Sequence, residues 1–234
     1  MHAPPTHASD TLLARLLRRL GPPETPLPTD PLVSSAEPPL LPEVEFAGYA
    51  EDCRIFGFLR LDAERLSDAL NAHAEVQLVD VLVVALDDSR AIPRGEVCVR
   101  RDELLAVRAS GPRGNPGRRS RSRLYPVTLQ SGPYEIHGHL HGPPGGDPMR
   151  QLARRPPMVP LTEAWIAYQA VGQDHRARVG TLIVNRELLD WVRPARDEEV
   201  AIPSLPMETS LDLRAKDLTG YIWGRQASDH HRLR

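Results

Sequence analysis

The sequence predicts a mainly β protein: two tandem small antiparallel barrels, each with one short helix, plus an N-terminal amphipathic helix and a C-terminal β-hairpin. Two observations lead there. First, a pattern occurs twice in the same order. Ile55-Phe56-Gly57-Phe58-Leu59, Leu70, Leu78-Val79-Asp80 and Val99-Arg100-Arg101-Asp102-Glu103-Leu104-Leu105 come first. Ile136-His137-Gly138-His139-Leu140, Leu152, Leu161-Thr162-Glu163 and Val184-Asn185-Arg186-Glu187-Leu188-Leu189 follow. A repeated supersecondary unit sets the architecture before any single residue does. Second, each copy reads as short β-branched runs separated by tight turns, and curling such strands into a barrel removes their exposed edges.

The chain divides at 1–43, 44–108, 109–124, 125–193 and 194–234. In the first segment Ser9 or Asp10 caps a helix from Thr11 to Leu20 that stops at Gly21-Pro22-Pro23. Leu12, Leu13, Leu16, Leu17 and Leu20 form one face, opposite Arg15, Arg18 and Arg19. A helix this short is marginal in water, so the leucine face is expected to dock on the protein's own barrels, a sister subunit or a partner. The prolines from Pro22 to Pro42 make an extended tether.

Segment 44–108 reads as strands at Val44–Tyr49 and Cys53–Leu61 and a helix capped by Asp62, with Asn71 in a left-handed terminal position. A long strand Val76–Leu86, a return Val97–Arg101, a corner at Arg101-Asp102-Glu103 and a closing strand Leu104–Arg108 complete it. Segment 125–193 follows the same order, its helix announced by Asp147-Pro148. Each unit alone is too small for a secure core, so the two are expected to pack together or to oligomerise. Thr209, Leu211 and Leu218-Thr219-Gly220-Tyr221-Ile222 echo the start of the second copy. This partial third copy is expected to add a hairpin to a sheet edge, with Trp223 as interface material. Trp191 is expected in a core.

The order [Ile/Leu]-x-Gly-x-Leu, long strand, then Val-[Arg/Asn]-Arg resembles Sm-like and other SH3-like small barrels, and uncharacterised bacterial two-repeat proteins. In those folds a glycine bends the second strand, matched here by Gly57 and Gly138, and a one-turn corner joins the last two strands. The resemblance implies RNA binding or ring formation. Here the helix follows the second strand instead of preceding the first.

Composition sets bounds. Over 234 residues the formal charge is -2 and Lys216 is the only lysine, so the surface as a whole does not match a polyanion. Cys53 and Cys98 lack any metal or disulfide spacing. No leader or membrane-length apolar run is evident, so a cytoplasmic location is expected. Phosphate-loop, dinucleotide and hydrolase motifs are missing, so neither catalysis nor a cofactor is expected.

Two clusters stand as alternatives. His137, His139 and His141 share one strand face, yet the outer two lie about 13 Å apart on a straight strand, too far for one ion without further ligands. No metal is therefore expected. Arg113, Arg118, Arg119, Arg121 and Arg123 lie in a glycine-rich connector that could touch phosphates of RNA or DNA, though no stacking aromatics accompany them. The leading expectation is a non-catalytic assembly module that contacts itself or a protein partner. Its candidate contact residues are Leu12, Leu13, Leu16, Leu17, Leu20 and Trp223.

Overall fold

Alternating apolar and polar residues produce ten strands and four short helices in a computed structural model that describes residues 12–18, 41–114 and 122–201. Helix α1 spans Leu12–Arg18. The first half then runs β1 Glu43–Tyr49, β2 Cys53–Arg60, α2 Leu66–Ala72, β3 Glu75–Ala85, β4 Ala91–Arg100 and β5 Ala106–Arg108. The second half runs β6 Arg123–Ser131, β7 Tyr134–Gly142, α3 Pro148–Arg154, β8 Met158–Ala170, β9 Gln173–Asn185 and β10 Trp191–Pro194, and ends in α4 Asp197–Val200. Short 3-10 turns at Arg101–Glu103 and Arg186–Leu188 join β4 to β5 and β9 to β10.

The mainly β class is as expected, but the two separate barrels are not what forms. All ten strands belong to one antiparallel sheet, ordered β10-β6-β7-β8-β9-β5-β1-β2-β3-β4, and the sheet is not closed. The physical reason is visible at β5. Instead of turning back onto β4, it pairs with β1 on one side and with β9 on the other. Each half keeps its own strand order, closing strand first, and the halves fuse edge to edge.

Alternation puts the core on one face of each half. In β7, Ile136 and Leu140 are fully buried among Leu129, Leu161, Ile166 and Leu182, whereas His137 and His139 point to the other face. Phe46, Ile55, Leu59, Leu78 and Val99 do the same work in the first half. Both halves break register at one place, between Phe56 and Phe58 and between His137 and His139, around Gly57 and Gly138.

Local chemistry differs from expectation at several points. Asp62 does not cap α2; its carboxylate meets the His73 imidazole at 2.8 Å, and the N-cap is Arg65, with no side-chain capping bond. Asn71 is not left-handed but sits in the last turn of α2, and its amide crosses to the second half. Asp147 does cap α3, accepting from Met149 N at 2.9 Å, with Pro148 at the first helical position. Trp191 is not core: it lies on the outermost strand, 43% exposed. Helix α4 carries no periodic signal in sequence. The proline tether and the third partial copy, with Leu20 and Trp223, lie outside the described residues.

Candidate functional site: sheet edges and the histidine face

The contact between halves is a built interface. Asn185 N donates to Leu105 O at 2.9 Å and Ala109 N donates to Thr181 O at 2.9 Å, bracketing the pairing of Val107 with Ile183. Asn71 staples α2 to β8: its side-chain oxygen accepts from Met158 N at 2.9 Å and its amide donates to Met158 O at 2.9 Å. Asn185 Nδ2 donates to Arg101 O at 3.1 Å. Tyr49, which pairs with Ala106, packs edge to face with Tyr134, and Tyr134 with Tyr168, with 5.4 Å between successive ring centres. Tyr134 also donates to Ala50 O, and buried Arg54 donates to the Tyr168 hydroxyl at 2.7 Å. These hydrogen bonds, set inside apolar packing, tie the two halves together.

Two edges remain outside this joint. At one end, β4 begins with Ala91-Ile92-Pro93-Arg94-Gly95-Glu96, where proline and charge blunt further pairing. Its next residues, Val97 to Val99, carry no such blockers, and Arg100 N is held by Glu103 Oε2 at 3.2 Å. At the other end is β10, Trp191–Pro194, paired among the described residues on one side only, with β6. Its Trp191 corresponds in position to Ala106 of β5, which is completely buried against β9.

The histidine face behaves as three separate groups. His137 is 6% exposed and stacks on Trp165 with ring centres 3.7 Å apart and planes 7° from parallel. Its Nδ1 lies 3.1 Å from Thr128 Oγ1 and its Nε2 3.1 Å from Glu135 Oε1. A carboxylate only accepts, so Nε2 carries the proton and Nδ1 accepts from the threonine hydroxyl. His139 lies 3.2 Å from Glu163, and His141 sits between Ser122 and Thr162 hydroxyls at 2.9 Å each. Burial holds His137 below its ordinary pKa against the pull of Glu135; burial, then Arg155, does the same for His141. Among the described residues no three His, Cys, Asp or Glu side chains converge on a point where a metal could sit.

The other sequence candidates are dispersed. Leu12 is 5% exposed and, with Leu13, packs into the first half's own core. Leu13 N donates to Asp52 Oδ2 at 3.1 Å, and Arg15 pairs with Glu103 at 3.1 Å. Those two leucines therefore face this chain. The side chains of Leu16 and Leu17 lie outside the described set. Of the connector arginines, Arg113 is exposed and Arg123 lies over the Tyr125 ring, 5.8 Å from its centre, while Arg118, Arg119 and Arg121 lie outside the described residues. Cys53 is buried, with its thiol pKa pushed up by burial and then by Asp52; Cys98 is half-buried on β4. The sheet edges escaped sequence reasoning because edge status depends on which strands find partners across the whole chain.

No helix among the described residues is long and apolar enough to cross a membrane. No protein-family model, curated protein or solved structure matches this chain.

Proposed function

We propose that the chain is a non-catalytic assembly module, built from a duplicated small β unit, whose copies join head to tail. The carrying observation is the β5–β9 joint. It is the contact of one unit's closing strand with another unit's fourth strand. Among the described residues the two edge strands, β10 and β4, are those same two strands in the opposite units. Placing them as β5 and β9 are placed sets Val99 against Trp191, Cys98 against Val192 and Val97 against Arg193.

The details support this register. The unblocked end of β4 is the stretch used, and the corresponding stretch of β9 is the one bound to β5. Pairing covers Trp191, an exposed aromatic of the kind that anchors interfaces. Pro194 stands where Ala109 donates in the internal joint, so the ladder ends one bond sooner and cannot slide onward. Because the two edges differ, the contact is heterologous, and it generates a ring or a filament instead of a two-fold dimer. The likeness to Sm-like and SH3-like barrels enters as a reading of the duplicated unit alone.

The test is a covalent one. In Val192→Cys the new thiol faces native Cys98 of a neighbouring copy, at strand spacing within disulfide reach. Mild oxidation should give a ladder of covalent multimers, and Cys98→Ser in the same background should abolish it. A chain that scatters light as a monomer and yields no covalent multimer overturns the proposal.

A further inference from the structure

One cross-strand row distinguishes the halves. In the first half it reads Arg108, Ala47, Phe56, Leu82, Pro93 across β5, β1, β2, β3 and β4. In the second half it reads Arg193, Thr128, His137, Trp165, Arg178 across β10, β6, β7, β8 and β9. Ala47, Phe56 and Leu82 form a buried apolar cluster, so nothing in the sheet geometry demands a titratable group at this place. The second half puts one there nevertheless, and roofs it. Helix α4 lies against β6 and β7, Val200 is 1% exposed, and Arg193 clasps Glu199 at 2.7 Å.

We propose that His137 is an acid-sensitive latch holding β10 and α4 onto the second half, and that protonation of its ring releases these two elements. The inference concerns this chain alone and does not rest on the assembly proposal. With Nε2–H on Glu135, neutral His137 accepts the Thr128 hydroxyl proton at Nδ1. The imidazolium has two donors, so Thr128 must turn its hydrogen elsewhere, and a charge answered only by the half-exposed Glu135 carboxylate appears in a buried row.

The charged neighbours come from every packed element. Glu135 and His139, each two residues from His137, lie on β7; Glu163 on β8 pairs with His139; β6 contributes only Thr128 to the row, and β9 contributes Arg178 beyond the Trp165 ring. Arg193 of β10 opposes a charge on His137, and Glu199 of α4 favours it. Protonation therefore sets a like charge beside Arg193, the β10 residue that ties α4 down through Glu199, and the strain falls on β10. Burial, the leading influence on the ring, also favours its neutral form.

The experiment is hydrogen–deuterium exchange on the full chain at pH 7.5, 6.5 and 5.5, with rates corrected for intrinsic chemistry. Protection of peptides spanning 190–201 should fall by about tenfold or more between pH 7.5 and 5.5, while peptides of β2 and β3 keep theirs. The Thr128→Ala, His137→Phe double variant, which installs the first half's residues, should hold protection across the range. His137→Gln, polar but without charge, should do the same. Wild-type protection over 190–201 that stays flat to pH 5.5 overturns the latch, as does an equal loss in wild type and both variants.

Discussion

Asp80 and Glu163 adopt the same left-handed backbone, at φ of 49° and 51°, beside the same break in strand pairing in each half. A non-glycine residue there costs roughly 1–2 kcal/mol. The kink is what carries the long strands β3 and β8 sharply around the core, and it brings their backbones onto Gly57 and Gly138.

Gly57→Ala and Gly138→Ala should therefore both destabilise. A Cβ at 57 meets Val79 O at 3.0 Å and Val81 Cγ2 at 3.2 Å; at 138 it meets Thr162 O and Ala164 Cβ, each at 3.2 Å. Backbone carbonyls of paired strands cannot retreat, so the expected cost is about 1–3 kcal/mol per variant. Urea unfolding should show lower midpoints of similar size for both.

The β8–β9 hairpin turns on Val171 and Gly172, at φ of 52° and 69°, the two-residue pattern that favours Asn-Gly. Val171 is β-branched and 51% exposed, a strained residue with little packing to lose. Val171→Asn should stabilise by about 0.5–1 kcal/mol, read as a higher melting temperature. Its backbone N–H bond to Leu86 O is retained.

Asn71 satisfies both backbone groups of Met158 across the joint between halves. Asn71→Ala removes both partners and should cost about 2–3 kcal/mol. Asn71→Asp keeps the acceptor but loses the donors to Met158 O and Ser67 O, and should be no better. A lower denaturation midpoint in both variants is the expected reading.

Stability should depend on pH through the histidine face. His137 is held below its ordinary value of 6.5 in the folded chain. The folded state thus binds its proton less readily than the unfolded one, so the contribution is whole above 6.5 and is lost as pH falls toward the folded value. His141 acts with the same sign. Denaturant midpoints should decline on acidification, and the Thr128→Ala, His137→Phe variant should flatten part of that decline. His137→Phe alone leaves the Thr128 hydroxyl without its partner and should be less stable than the double variant.

The sequence by itself determined the element order, the paired glycines, the Asp147-Pro148 helix start and which residues of β7 face the core. These follow from local periodicity and from turn and cap chemistry, which act over a few residues. Only the tertiary structure decided that β5 would pair with β9, opening two units into one sheet. That choice also took Asn71 from a helix end to a staple, left Trp191 at an edge and set His137 in a row with Arg193 and Trp165. Strand pairing joins residues far apart in the chain, and an unpaired edge is a property of the whole sheet, so no local pattern encodes it.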